Sequence, residues 1–350
     1  MLQLAGGLVL LILGAELMVR AAVRLAASFK VRPLIIGLSV VALGSSAPQM
    51  AVSLQAAFSH APDIAVGSVF GSNIFNILVT LGLCALIIPL RVSRQLVRLD
   101  IPLMISASAL VFAMALNQTL GRLEGAVLLV GLGGYFALLL RQSRRHHRPR
   151  VHTHAVERQG PPPWLSSAAM TLAGLGLLVW GGHLILGAAV ELATDYGFSD
   201  RIIGLTIVAV STSLPELATS LIAAIRGERE IAVGNVIGSN LFNLLGVLGL
   251  TAVIAPTPLS VSPNALDFDL PVMLGVAVLC LPLFYSGYRI TRAEGLVLLG
   301  LFAAYGLHVI TFTTGMPLAG RLEHLMLFYV LPVLGLFVLV STLVAWRRQH

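Results

Sequence analysis

Eleven apolar runs divide the chain. They lie at about 2–19, 34–58, 64–90, 100–117, 123–140, 166–187, 202–225, 231–255, 268–285, 294–311 and 326–346. A helix needs about 20 predominantly apolar residues to cross a bilayer, and each run is close to that length. Within the hydrocarbon only helices and closed barrels satisfy their own backbone, so these runs predict helices. The expected fold is an all-α polytopic membrane protein.

An internal repeat orders the runs. Slid by 167 residues, Ile35 to Pro89 matches Ile202 to Pro256 at 30 of 55 positions without a gap. The register reaches back to Gly14 against Gly181, and to AAV at 21–23 against AAV at 188–190. Five runs fall in each copy, and the run at 326–346 is extra. An odd number of spans per copy sets the two copies in opposite orientations, the inverted-repeat plan of secondary transporters. The expected organisation is a first repeat at 1–140, a basic linker at 141–165, a second, inverted repeat at 166–311, and an extra helix with a tail at 312–350. The first run has no basic residue before it and has a counterpart in the second copy. It is read as a span, not as a cleaved signal.

Composition agrees with this reading. The chain is 57% hydrophobic and 11% charged, against about 25% charged in a soluble domain. Its mean hydropathy is +0.93. A net charge of +7 would suggest nucleic acid in a soluble protein, but in a membrane protein basic residues mark the cytoplasmic loops. With the N-terminus outside, all but Arg122, Arg201 and Arg321 of the 22 Lys and Arg residues fall on the inside. This predicts an integral protein of a bacterial inner membrane, with the linker and the C-terminus cytoplasmic. The linker histidines His146, His147, His152 and His154 are read as part of a solvated basic loop against an anionic leaflet, not as a metal site. Cys84 and Cys280 are read as small core residues. The expected partners are membrane lipid and inorganic cations, with no nucleic acid and no cofactor beyond the transported cations (Na⁺, Ca²⁺ or H⁺). A monomer is expected.

Two polar stretches interrupt the pattern. LGSSAPQM from Leu43 to Met50 and VSTSLPEL from Val210 to Leu217 correspond under the repeat. Ala42, Ser45, Ser46, Gln49 and Ser53 recur at three- and four-residue steps and share one helix face, as do Ala209, Thr212, Ser213, Glu216 and Ser220. Pro48 and Pro215 each predict a helix break, because proline lacks an N–H and clashes with the preceding turn. The following run of each repeat adds a second stripe: Ser68, Ser72 and Asn76 beside Asn73, and Asn235, Ser239 and Asn243 beside Asn240. Glycines at 67, 71, 234 and 238 allow close helix approach. Hydroxyls, amide oxygens, freed carbonyls and one carboxylate are hard oxygen ligands, suited to Na⁺ or Ca²⁺. Serines and glycines are also ordinary glue between membrane helices. A carboxylate deep in a span is costly and usually functional, which singles out Glu216. Glu16 and His183 occupy equivalent positions in the first span of each repeat and are read as interfacial, not as a gating pair.

At these residues the sequence resembles the cation/Ca²⁺ exchanger superfamily, typified by Na⁺/Ca²⁺ exchangers. The family's repeats carry a G-[ST]-S-x-P-E knot followed by a G-S-N-x-F-[ND] stripe. Here these read GSSAPQ at 44–49 with GSNIFN at 71–76, and STSLPE at 211–216 with GSNLFN at 238–243. The resemblance implies ten core helices, a midplane site between the second, third, seventh and eighth, and first and sixth helices that slide to alternate access. The cation ligands it implies are the Ala42 carbonyl, Ser45, Ser46, Gln49, Ser72 and Asn76, with the Ala209 carbonyl, Thr212, Ser213, Glu216, Ser239 and Asn243. Of these, Ser45, Gln49, Thr212 and Glu216 are taken as direct metal-ion ligands. Gln49 stands where exchangers of the family usually carry an acid, Asn243 where some carry aspartate, and the eleventh helix is an addition to the usual ten.

The expected function is a secondary cation antiporter of the Na⁺/Ca²⁺ exchanger type. The alternative is a monovalent cation/proton exchanger, because the single carboxylate of Glu216 balances one Na⁺ or one proton. A cation channel is a less favoured reading, since channels tend to build rings by oligomerisation. An intramembrane enzyme is disfavoured: no His-Glu-x-x-His pair occurs, and no histidine lies near the knots in sequence.

Overall fold

The computed structural model describes residues 2–59, 62–145, 163–195, 209–285, 287–313 and 318–330. Its helices are α1 (Leu2–Phe29), α2 (Pro33–Ser45), α3 (Ala47–Phe58), α4 (Pro62–Ile87), α5 (Leu96–Ala115) and α6 (Arg122–Arg145). They continue as α7 (Pro163–Asp195), α8 (Ala209–Thr212), α9 (Leu214–Ile225), α10 (Arg229–Ile254), α11 (Ala265–Tyr285), α12 (Arg292–Thr313) and α13 (Leu318–Leu325). Among the described residues eight helices are long and apolar enough to cross a membrane, and α2 with α3 forms a ninth span bent by 42°. The protein is thus mostly helical and polytopic.

Several spans differ from the apolar runs. The first helix continues to Phe29, so Arg20 and Arg24 sit on the helix and not in a loop. No breaker intervenes before Lys30, whose φ of 54° ends the helix in the left-handed region. The two arginines find partners along the way: Arg20 pairs with Glu16 one turn back, and the Arg24 guanidinium reaches the Met170 sulfur. The seventh helix likewise overruns the 166–187 run at both ends. Arg321, expected in a loop, lies on α13. The histidine-bearing stretch at 146–162, the first part of the 202–225 run, and residues 331–350 with most of the last run lie outside the described residues.

Small residues set the helix contacts. A Cβ built on Gly14 would lie 2.8 Å from the Gly174 carbonyl, and one on Gly174 would lie 2.9 Å from the Gly14 carbonyl. Gly7 and Gly181 meet in the same reciprocal way. Low numbers on α1 thus face high numbers on α7, and the two helices run antiparallel. Gly125 of α6 meets Gly249 of α10, and Gly82 of α4 meets Gly295 of α12, again reciprocally. Backbones come this close in a membrane where side chains are absent. Gly234 and Gly238 of α10 pack against Leu34 and Leu38 of α2, the close approach expected of them.

Two short ribbons clip the ends of the bundle. β1 (Leu90–Arg91) pairs antiparallel with β4 (Arg289–Ile290), and β2 (Thr119–Leu120) with β3 (Leu259–Ser260). The innermost elements are α4 and α10, each with 78% of its span window buried, against 22% for α6 and α7. The two polar stripes therefore sit at the centre, away from lipid.

Candidate cation site

The knots break where the prolines predict. The chain leaves helical geometry at Ser46 (φ −83°, ψ 0°) and at Ser213 (φ −95°, ψ 0°). Pro48 and Pro215 then occupy the first turns of α3 and α9, where a missing N–H costs nothing. Gln49 and Glu216 follow directly, so each break delivers one side chain to the bundle centre, and both are buried. Opposite them, α4 and α10 change to wider π turns at Asn76–Leu81 and Asn243–Leu248. Such turns re-aim side chains and recur at functional sites. Both begin on the asparagine of the stripe.

The structure brings most of the predicted ligands together across the two halves. The Ser45 hydroxyl lies 3.3 Å from the Ser239 hydroxyl and donates to Asn235 Oδ1 at 3.1 Å. The Ala42 carbonyl accepts from Ser45 at 3.3 Å and from Ser239 at 3.5 Å. Ser46 donates to Glu216 Oε1 at 2.9 Å. Thr212 and Ser213 are buried beside the second break. Of Ala209 only the helical backbone is described.

Gln49 and Glu216 are equivalent in sequence and different in use. The Gln49 amide nitrogen donates to Ser68 at 2.9 Å and Ser53 at 3.3 Å, and its oxygen accepts from Ser72 at 2.9 Å. All three partners belong to its own repeat. The second repeat has Asn235 where the first has Ser68, and its amide donates to Thr219, to Ser220 and to the Glu216 carbonyl. The Glu216 carboxylate is left to the other half of the molecule.

Four asparagines bracket the centre. The Asn73 amide donates to the Asn240 carbonyl at 3.4 Å, and the Asn240 amide to the Asn73 carbonyl at 3.3 Å. Asn76 donates to Asn240 Oδ1 and Asn243 to Asn73 Oδ1, both at 3.1 Å. The nitrogens of Asn76 and Asn243 are consumed, and their oxygens remain.

Asn76 Oδ1, Asn243 Oδ1, Glu216 Oε2 and Ser213 Oγ are buried without a hydrogen-bond partner among the described residues. Each unmet buried polar group costs about 1–3 kcal/mol, more if charged. Glu216 makes no ion pair among the described residues, so its charge has no side-chain counter-ion there. Oxygens of this kind, hydroxyl, amide and carboxylate, are hard ligands of the sort that hold Na⁺ or Ca²⁺. No three His, Cys, Asp or Glu side chains gather among the described residues, so the donor set is hydroxyl, amide, carbonyl and a lone carboxylate.

Two further features lie outside this cage. Glu16 and His183 do not meet. Glu16 is an ion-pair anchor, bonded to Arg20 on its own helix and to Arg226 at the end of α9, while His183 is exposed. Two further carboxylates, Asp100 buried and Asp269 half-buried, are not flagged by the sequence pattern. Asp100 accepts from Tyr135 at 3.4 Å, and Asp269 accepts from Tyr305 at 3.0 Å. The signal was present as DIP at 100–102 and DLP at 269–271. The insertion of Thr257–Pro258 shifts the repeat register there and hides the match.

Comparison with known proteins places the chain. The profile of the sodium/calcium exchanger protein family matches residues 1–141 and 166–311. CaxA of Alkalimonas amylolytica is 40% identical over 305 residues, covering 85% of this chain and 95% of that protein. The inner membrane protein YrbG of Escherichia coli is 37% identical over 281 residues, covering 78% and 85%. Among solved structures, the sodium-calcium exchanger NCX_Mj soaked with Na⁺ and Sr²⁺ superposes with a TM-score of 0.72 at 30% identity, covering 89% of this chain and 97% of that one. The chain belongs to the transmembrane sodium/calcium exchanger family.

Proposed function

We propose that this protein is a secondary active cation antiporter that alternates access around the cage at Glu216. One observation carries the reading: Glu216 Oε2, Asn76 Oδ1 and Asn243 Oδ1 are buried acceptors with no donor among the described residues. The architecture proposed is two inverted five-helix repeats, 1–140 and 166–311, joined by the 141–165 linker and followed by an extra helix, eleven spans in all. The antiparallel α1–α7 pair and the reciprocal asparagine bonds support it. The N-terminus is outside, and the linker and C-terminus are cytoplasmic, in a bacterial inner membrane. YrbG is itself named an inner membrane protein.

The ligands proposed are Ser45, Ser46, Gln49, Ser72, Asn76, Thr212, Ser213, Glu216, Ser239 and Asn243, with the Ala42 and Ala209 carbonyls. Ca²⁺ in exchange for Na⁺ is the leading assignment. Amide and hydroxyl oxygens complete a Ca²⁺ shell when carboxylates are few. A monovalent cation/proton exchanger is the second reading, favoured by the single carboxylate. Uptake of Ca²⁺ into Na⁺-loaded liposomes diluted into Na⁺-free medium separates the two. Uptake that needs both the Na⁺ gradient and Glu216 supports the first. Glu216-dependent Na⁺ or K⁺ flux driven by a pH gradient, with no Ca²⁺ uptake, supports the second.

A further inference from the structure

A groove of about 570 Å³ runs along the outside of the bundle between α5, α6 and α10, bounded by Leu103, Leu110, Gly131, Gly134, Leu245 and Arg141. Two wall positions have no side chain, Gly131, where a Cβ would rest on Leu245 at 3.4 Å, and Gly134. A Cβ built on Gly134 would meet nothing within 4 Å. Its polar walls are turned away: the Ser106 hydroxyl donates to the Pro102 carbonyl of its own helix, and the Tyr135 hydroxyl to Asp100. What remains is an apolar trough with one cation at its mouth. Arg141 is exposed and makes no ion pair among the described residues.

The second repeat lacks this groove's ingredients. Under the correspondence of RLEG at 122–125 with RAEG at 292–295, Leu301 stands for Gly131, Ala304 for Gly134 and Thr311 for Arg141. Thr311 spends its hydroxyl on the carbonyls of Leu307 and His308. The two halves share the cage and differ here, so the groove is not a by-product of the duplicated fold. In the proposed orientation Arg141 lies at the cytoplasmic end of α6, facing the anionic leaflet. From Arg141 to Gly131 the helix rises about 15 Å, half of a ~30 Å hydrocarbon core. That is the depth of one leaflet.

We propose that this groove is a binding site for one anionic phospholipid of the inner leaflet, with an acyl chain along Gly134 and Gly131 and its phosphate on Arg141. The site is separate from the cation cage, and its test does not rest on transport.

Native mass spectrometry of the delipidated full chain, with phosphatidylglycerol or phosphatidylcholine of the same acyl chains added, tests the proposal. The wild type retains one phosphatidylglycerol per chain, preferred about five-fold over phosphatidylcholine, the preference expected of one arginine at a membrane surface. Gly134→Leu fills open space, keeps its elution profile and loses the retained lipid. Arg141→Gln retains both lipids equally. Gly300→Leu, also built into open space but on α12, changes nothing. Undiminished phosphatidylglycerol in Gly134→Leu would overturn the proposal. So would equal retention of both lipids by the wild type, or a second copy of the chain in the groove, seen as a dimer that Gly134→Leu dissociates.

Discussion

Replacing Gln49 by Glu restores the acid that exchangers of this family usually carry, and its effect follows from the surroundings of the amide. Gln49 is buried at 1% exposure and held by Ser53, Ser68 and Ser72. Glutamate has the same shape, and the Ser53 and Ser68 hydroxyls can turn to donate where they now accept. A carboxylate about 4 Å from a divalent ion, at an effective dielectric of 20, gains about 8 kcal/mol; beside a monovalent ion it gains about 4. Burying the new charge costs several kcal/mol in either case. That cost is common to both ions, so about 4 kcal/mol of the difference remains as an upper bound on divalent preference. Screening and the repulsion of Glu216 in the ion-free state reduce it. The expected outcome is a tenfold to hundredfold fall in the Ca²⁺ concentration giving half-maximal uptake, with a smaller change for Na⁺. The assay is initial-rate ⁴⁵Ca²⁺ uptake in liposomes at fixed internal Na⁺. An unchanged half-maximal concentration in a folded variant refutes the claim that the missing charge limits divalent binding.

Other perturbations test other parts of the account. Glu216→Gln keeps the Ser46 contact and removes the one charge the cage has among the described residues, so flux in the same liposomes falls at least a hundredfold. Asn240→Ala deprives Asn76 of its acceptor and releases the Asn73 carbonyl; denaturant or thermal unfolding in detergent should register a loss of about 1–3 kcal/mol, together with reduced cation affinity. Gly14→Leu forces a side chain against the Gly174 carbonyl and costs about 1–3 kcal/mol or more, whereas Gly176→Leu, with nothing within 4 Å of its Cβ, is neutral in the same unfolding assay. Glu16→Gln breaks its pairs with Arg20 and Arg226; because these groups are partly exposed, stability changes by less than about 1 kcal/mol, and any larger effect falls on transport rate.

Much of this molecule was legible along its chain. Apolar runs point to the eight or nine spans found among the described residues, because lipid permits only self-satisfied helices. The ungapped repeat gave the pairing of knots and stripes, and the prolines gave the breaks at Ser46 and Ser213. What stayed hidden depends on three-dimensional partners or on a lost register. Arg20 reads as a loop residue until Glu16 and the continuing helix are seen. Gln49 and Glu216 hold equivalent places in the repeat, and the sequence shows the missing acid but not how each side chain is used. Only the fold shows one amide spent within its own repeat and one carboxylate turned to the other. The Asp–Tyr pairs vanished behind the two-residue insertion at Thr257–Pro258. The π turns at Asn76 and Asn243 leave no periodic signature, since the apolar pattern runs through them unbroken. The groove at Gly134 emerges only when the two repeats are compared position by position.

Direct binding to the purified protein tests the central claim. Calorimetric titration of the wild type with Ca²⁺ should give one saturable site per chain, competed by Na⁺, and Glu216→Gln should abolish it. Ca²⁺ binding of undiminished affinity and stoichiometry in Glu216→Gln would contradict the assignment of the cage as the cation site.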